Sequence, residues 1–126
     1  LDEQTIWRAL NETNVRYEDW SARKEYEESW PVLRILLEPK EGVDAKAIEA
    51  SLHERLRVMS ALYEEAVIET ERNPVKVTIL NRGSFQSFNE DQQKAGADLA
   101  QLKPAHMNAP DTVIQHLLKC SDRPVE

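Results

Sequence analysis

Glycine is scarce in this chain, with three residues in 126, and they form no Gly-rich loop able to cradle a phosphate. Cysteine is scarcer: Cys120 stands alone, which excludes an internal disulfide and fits a reducing, cytoplasmic setting. Positive charge is in deficit as well. The formal net charge of −7 repels phosphate backbones, so nucleic acid is not an expected partner. No apolar run approaches the ~20 residues that span a bilayer, so no membrane partner is expected either. The opening LDEQTIWRAL has neither the basic region nor the apolar core of a secretion signal. No two histidines show a metal-binding spacing such as H-x-x-x-H, and Cys120 has no close ligating partner in sequence, so no metal site is expected. The first residue is Leu1, not methionine, which reads as a piece of a longer chain.

What is present suits one α+β domain over residues 1–126. Hydrophobic residues make up 40% of the chain, enough for a single core. Asp2 can cap a helix over residues 3–11 with Ile6, Trp7 and Leu10 on one face. From Val15 the period becomes two, and the apolar phase slips near Asp19, which predicts a strand over Val15–Ala22 with a bulge. A polar turn is expected over Glu25–Ser29. WPVLRILLEP then reads as a strand buried on both faces. Asp44 can cap a long helix reaching Thr70, whose stripe Ile48, Leu52, Leu56, Met59, Tyr63 and Val67 advances by 4, 4, 3, 4 and 4 residues. A further strand is predicted at Val75–Leu80. Gly83 permits a turn, Ser84 can cap a helix carrying Phe85 and Phe88, and Gly96 can end it. A last helix follows, with Pro110 in its first turn, Asn108 as its cap, and Val113, Ile114, Leu117 and Leu118 buried. The expected product is a small, mostly antiparallel sheet of three to four strands, ferredoxin-like in layout, with helices on one face.

The residues alone point to little chemistry. His53 and His116 sit among apolar helix positions and read as packed or solvated side chains. The carboxylates cluster as solvated faces, and nothing isolates two of them in an apolar pocket. Trp7, Trp20 and Trp30 read as core or domain-contact residues. The stretch GADLAQLKPAHMN is unusual, because it places one lysine, Lys103, in a loop opened by Gly96 and interrupted by Pro104, with His106 three residues on.

The segment VTILNRGSFQSFNEDQQKAGADLAQLKPAHM is similar to the C-terminal domain of the plant auxin- and jasmonate-conjugating acyl acid–amido synthetases and their bacterial relatives. Gly83, Ser84 and Phe85 match that family's Gly-[Ser/Thr]-Phe turn. Gly96 and Ala97 match a Gly-Ala opening, and Gln101 and Lys103 match a Gln-aromatic-Lys loop. Upstream, Glu38 matches a glutamate closing the second strand, and Tyr63 a tyrosine late in the long helix. The family's loop aromatic is Leu102 here, and its Pro-Arg is Ala105-His106.

The resemblance implies the lid domain of an adenylate-forming ligase, inactive alone. ATP, magnesium and the carboxylic acid would bind to an N-terminal adenylation domain. The acyl-adenylate would then pass its acyl group to an amine. Lys103 would be the catalytic residue, carried by the lid to the α-phosphate. Gln101 and His106 would be substrate-binding neighbours, with Gly83, Ser84, Phe85 and Gly96 shaping the turns. A coenzyme A ligase of the phenylacetate type, or a free-standing α+β module binding a small ligand, are the alternative readings. Without a phosphate-binding loop and with a net negative charge, the chain alone is expected to bind Mg-ATP no tighter than the millimolar range. Isothermal titration checks this, and micromolar affinity would favour the regulatory module over the lid.

Overall fold

The computed structural model describes residues 2–96 and 104–122. Among the described residues the elements follow in the order α1 (Glu3–Glu12), β1 (Tyr17–Glu27), β2 (Trp30–Pro39), α2 (Ala45–Met59), α3 (Ala61–Thr70), β3 (Val75–Ile79), α4 (Ser84–Lys94) and α5 (Asp111–Ser121). The three strands form one sheet in the order β1-β2-β3. β1 and β2 are antiparallel, whereas β2 and β3 run parallel, so the sheet is mixed. A tight turn can join only antiparallel strands, and the helical α2–α3 crossover supplies the length a parallel pair needs.

β2 is central, and its alternating side chains divide two cores. Leu33, Ile35 and Leu37 join Ile6 and Leu10 of α1, Leu52 and Leu56 of α2, and Tyr63 and Val67 of α3. Leu36 joins Phe85 and Phe88 of α4 and Ile114 and Leu117 of α5. Helices therefore cover both faces of the sheet, not one. This is the arrangement that a strand apolar on both sides requires.

The slip at Asp19 is a register shift, with Tyr17 opposite Pro39 and Asp19 opposite Glu38. Asp2 caps α1, accepting the Thr5 N–H at 2.8 Å. The expected turn over Glu25–Ser29 is shorter. The strands pair as far as Glu27 and Trp30, and Glu28 and Ser29 alone make the turn, both with positive φ (51° and 74°). That is the backbone twist a two-residue hairpin needs, achieved here without glycine. The single long helix is two. Ser60, in extended conformation, ends α2 and caps α3, its hydroxyl accepting the Tyr63 N–H at 3.2 Å. The apolar stripe continues across the break, because Met59 and Tyr63 both still pack on the first core.

Both sheet edges are occupied. On β3, the Val77 N–H donates to the buried carboxylate of Glu49 from α2 at 2.9 Å. On β1, Ala22 donates to the His106 carbonyl and accepts from the Asn108 N–H, each at 2.7 Å. Such contacts occupy part of the hydrogen-bonding rim that otherwise invites other chains.

Across the β1–β2 pair, Arg23 lies opposite Arg34, a repulsive placement. Glu25 lies between them and accepts from both, at 2.8 Å from Arg34 Nε. Burial alone would push the Glu25 carboxyl up, but the hydrogen bonds and charges of Arg34 and Arg23 outweigh it and hold the group below its ordinary value of 4.5. A depressed carboxyl stabilises the fold above its unfolded-state pKa and loses that contribution as pH falls through the folded-state value. Glu25→Gln is therefore expected to cost about 1 kcal/mol at pH 7. The difference from the parent should close as pH drops below 4.5. Urea unfolding at a series of pH values measures this, and a pH-independent difference would count against the charge assignment.

Candidate functional site

A polar cleft of about 330 Å³ opens beside the Gly83 turn. Its walls carry Glu18 and Asp19 from the β1 bulge, Glu38 from the end of β2, and Arg82, Gln86 and Asn89 around the start of α4. Local chain signals explain the position. The bulge turns Asp19 out of the regular alternation, and Gly83, at φ 89°, supplies a left-handed residue before α4.

Glu38 organises this corner. It is 3% exposed, and its two carboxylate oxygens accept the Gly83 N–H at 3.0 Å and the Phe85 N–H at 2.8 Å. It therefore satisfies orphan donors at the first turn of α4. Ser84, expected as the cap, is instead the first helical residue, and its hydroxyl donates to the Asn81 carbonyl. At the other end of α4, Ala95 is the cap and Gly96 follows it at φ 83°, the left-handed position after the helix. Among the described residues, Asn89 Oδ1 is a buried side-chain oxygen with no hydrogen-bond partner.

Asp19 links the cleft to the second motif. Its Oδ1 is 2.8 Å from His106 Nε2, and the imidazole stacks on Trp20 with centroids 4.4 Å apart and planes at 6°. His106 Nδ1 also lies 3.6 Å from Glu3. The backbone beside it is equally held. Met107 bridges Ala22 in parallel register, and the Ala105 carbonyl accepts from the Ser21 hydroxyl at 2.7 Å. Asn108, expected to cap α5, has φ 54° and serves β1 instead. Its N–H donates to Ala22, and its Oδ1 accepts the Lys24 N–H at 3.4 Å. The N-terminal cap of α5 is Pro110, without a side-chain bond.

Of the predicted site residues, the fold thus brings Gly83, Phe85 and His106 to one corner, joined through Asp19 and Glu38. Lys103, Gln101 and Ala97 lie outside the described residues. In the sequence Asp19 is legible as the place where a strand pattern slips, and Glu38 as the family-like glutamate that closes the second strand, with no signal that it serves α4. Tyr63 bonds His53 Nδ1 at 2.7 Å; burial pushes the tyrosine up and the histidine down. His53 is thus the partly packed side chain its helix position suggests. Trp20 is buried, whereas Trp7 is half exposed and Trp30 lies beneath the Arg72 guanidinium, 4.0 Å from the ring centroid.

The absence of a ligating partner for Cys120 does not survive folding. His116, one turn back on α5, and Asp91 of α4 bring ligating atoms that, with the Cys120 sulfur, all lie within 4.8 Å of one another.

Residues 3–110 match the family model described as the GH3 family C-terminal domain. Among solved structures, a GH3.15 acyl acid amido synthetase is similar over 91% of this chain and 24% of its own, with a TM-score of 0.68 and 14% identity. An AtGH3.15 acyl acid amido synthetase in complex with 2,4-DB is similar over 91% of this chain and 23% of its own, with a TM-score of 0.69 and 12% identity. At these identities the likeness is one of fold, and the chain spans about a quarter of the length of these structures. No curated protein sequence matches.

The double bond to Glu38 predicts a stability hierarchy. Glu38→Gln puts an amide donor against one of two N–H groups and is expected to cost about 1–3 kcal/mol. Ser84→Ala loses one hydroxyl bond, and its cost should be smaller. Urea unfolding of the two variants checks the order, and a larger loss for Ser84→Ala would restore serine as the cap.

Proposed function

The chain belongs to the GH3 family as a C-terminal domain, and on that premise we propose that it is the lid of an acyl acid amido synthetase. The observation that carries this reading is the family match over residues 3–110, which takes in the Gly83 turn and the Lys103 loop together. The solved relatives are named amido synthetases, which favours an amine acceptor over coenzyme A.

In this reading the larger part of the reaction centre lies on an N-terminal adenylation domain that binds the acid and Mg-ATP. The cleft at Gly83 is ill suited to a triphosphate by itself, because Glu18, Asp19 and Glu38 face it and Arg82 is its one cation among the described residues. The lid contributes Lys103. As carboxylate attacks the α-phosphate, negative charge grows on the phosphate and pyrophosphate oxygens, and a cation placed there favours that state over the ground state. A long-stemmed ammonium suits a group that must reach across a cleft. In the sequence Pro104 follows Lys103, and a proline disfavours helical backbone at the residue before it. The pairing of residues 105–108 with β1 gives the loop a rigid footing immediately downstream of the lysine. Gln101 is proposed as a neighbouring contact for nucleotide or acceptor. His106, bonded to Asp19 and stacked on Trp20, would act mainly by holding that footing. Rotation of the lid then withdraws the lysine and admits the amine.

In the full-length enzyme, Lys103→Ala is expected to lower acid-dependent pyrophosphate exchange by on the order of 10²-fold, the scale for losing one charge contact in the transition state. Acyl transfer from pre-formed acyl-adenylate should fall much less. Equal losses in both half-reactions, or none in either, would remove Lys103 from the mechanism.

A further inference from the structure

We propose that the α4–α5 interface holds a site for a thiophilic divalent cation such as zinc, made by Asp91, His116 and Cys120. The site is separate from the Gly83 cleft and does not depend on the ligase reading. Three chemically different donors meet there. Asp91 comes from the third turn of α4, and His116 and Cys120 lie one turn apart on α5, facing it. Asp91 Oδ2 is 2.7 Å from His116 Nε2 and 3.7 Å from Cys120 Sγ, and the three ligating atoms fit within 4.8 Å.

The spacing suits a tetrahedral ion. With metal–ligand distances of about 2.0–2.3 Å, tetrahedral donors stand roughly 3.4–3.6 Å apart. The sulfur–carboxylate pair is already near that separation. The imidazole–carboxylate pair must open by about 0.7 Å as the ion replaces their hydrogen bond. The surroundings favour sulfur ligation and a defined geometry. Cys120 is 5% exposed within the second core, while Asp91 and His116 are only partly buried and leave a path for entry. Phe88 packs against the His116 ring, with centroids 4.7 Å apart, and limits its rotation. Binding converts the Cys120 thiol to a thiolate, and its proton is released to solvent. The Nε2 proton that bridges to Asp91 is given up to solvent as the ion enters, and the neutral imidazole, protonated on Nδ1, ligates through the Nε2 lone pair. Three protein donors leave a fourth position for water or an outside ligand. A bound ion would tie α4 to α5, the two helices flanking the segment that carries Lys103.

The test uses the 126-residue chain with cobalt(II) as a spectroscopic stand-in, followed by zinc competition. One equivalent of cobalt is expected to give thiolate-to-metal charge-transfer absorption, which zinc then abolishes. Cys120→Ser should lose that absorption, and Asp91→Asn and His116→Gln should each weaken binding by about 10-fold or more. Zinc should raise the thermal midpoint of the parent and leave that of Cys120→Ser unmoved, each compared with its own metal-free sample. Absence of charge-transfer absorption in the parent would overturn the site. So would zinc affinity or thermal response unchanged in Cys120→Ser, which would assign binding to surface carboxylates.

Discussion

One buried carboxylate sets the Gly83 corner of this fold. Glu38 ends the central strand, which has a neighbour on each side and a helical layer on each face. At that depth a carboxylate must find donors, because an uncompensated one is prohibitively expensive to bury. The donors it takes are the Gly83 and Phe85 N–H groups at the start of α4. The placement of α4, the conformation of the turn before it, and the floor of the cleft therefore share one cause. The requirement is mutual. The turn needs an acceptor for its free N–H groups, and the strand end needs donors for its oxygens.

The rest of the corner is built by closing an edge. A three-stranded sheet has two exposed rims, and this one covers them by different means. On β3, a helix lends a glutamate. On β1, the chain returns after α4 and lays residues 105–108 along the strand. That return brings His106 to Asp19, and Asp19 already lines the cleft with Glu38. A device that would ordinarily serve only to protect a strand thus also fixes the segment downstream of the lysine. Edge protection and the placement of His106 beside Asp19 draw on the same hydrogen bonds, so damage to the pairing at Ala22 would be felt on both counts.

The parts of this fold that could be read from the chain are those governed by near neighbours. The apolar run of β2, the stripe from Ile48 to Val67, the Asp2 cap and the slip at Asp19 all depend on residues a few positions apart. The parts that could not be read depend on distant ones. Ser84 and Asn108 have the chemistry of caps, yet α4 is served by Glu38 from 45 residues upstream, and Asn108 is committed to β1. Ser60 breaks a helix whose apolar rhythm runs through it unchanged, because a local side-chain bond competes with the backbone and leaves no trace in the stripe. Glu28 and Ser29 adopt turn conformations normally signalled by glycine or asparagine. The grouping of Asp91 with His116 and Cys120 depends on how two helices face each other. The local pattern marks Lys103 only as a lone lysine between Gly96 and Pro104, and a role for it comes from family likeness.

The stacking of His106 on Trp20 gives the molecule a built-in optical probe. The three indoles occupy three environments: Trp7 half in solvent, Trp30 under a guanidinium, and Trp20 sealed in the core against an imidazole carried by the returning segment. The stacked imidazole is part of the immediate surroundings of the Trp20 indole. Release of residues 105–108 from β1 would separate the rings and open Trp20 to solvent, changing its emission, while Trp7 and Trp30 would keep their surroundings. With Trp7 and Trp30 replaced by phenylalanine, the remaining signal would follow this one contact in real time, without an attached dye.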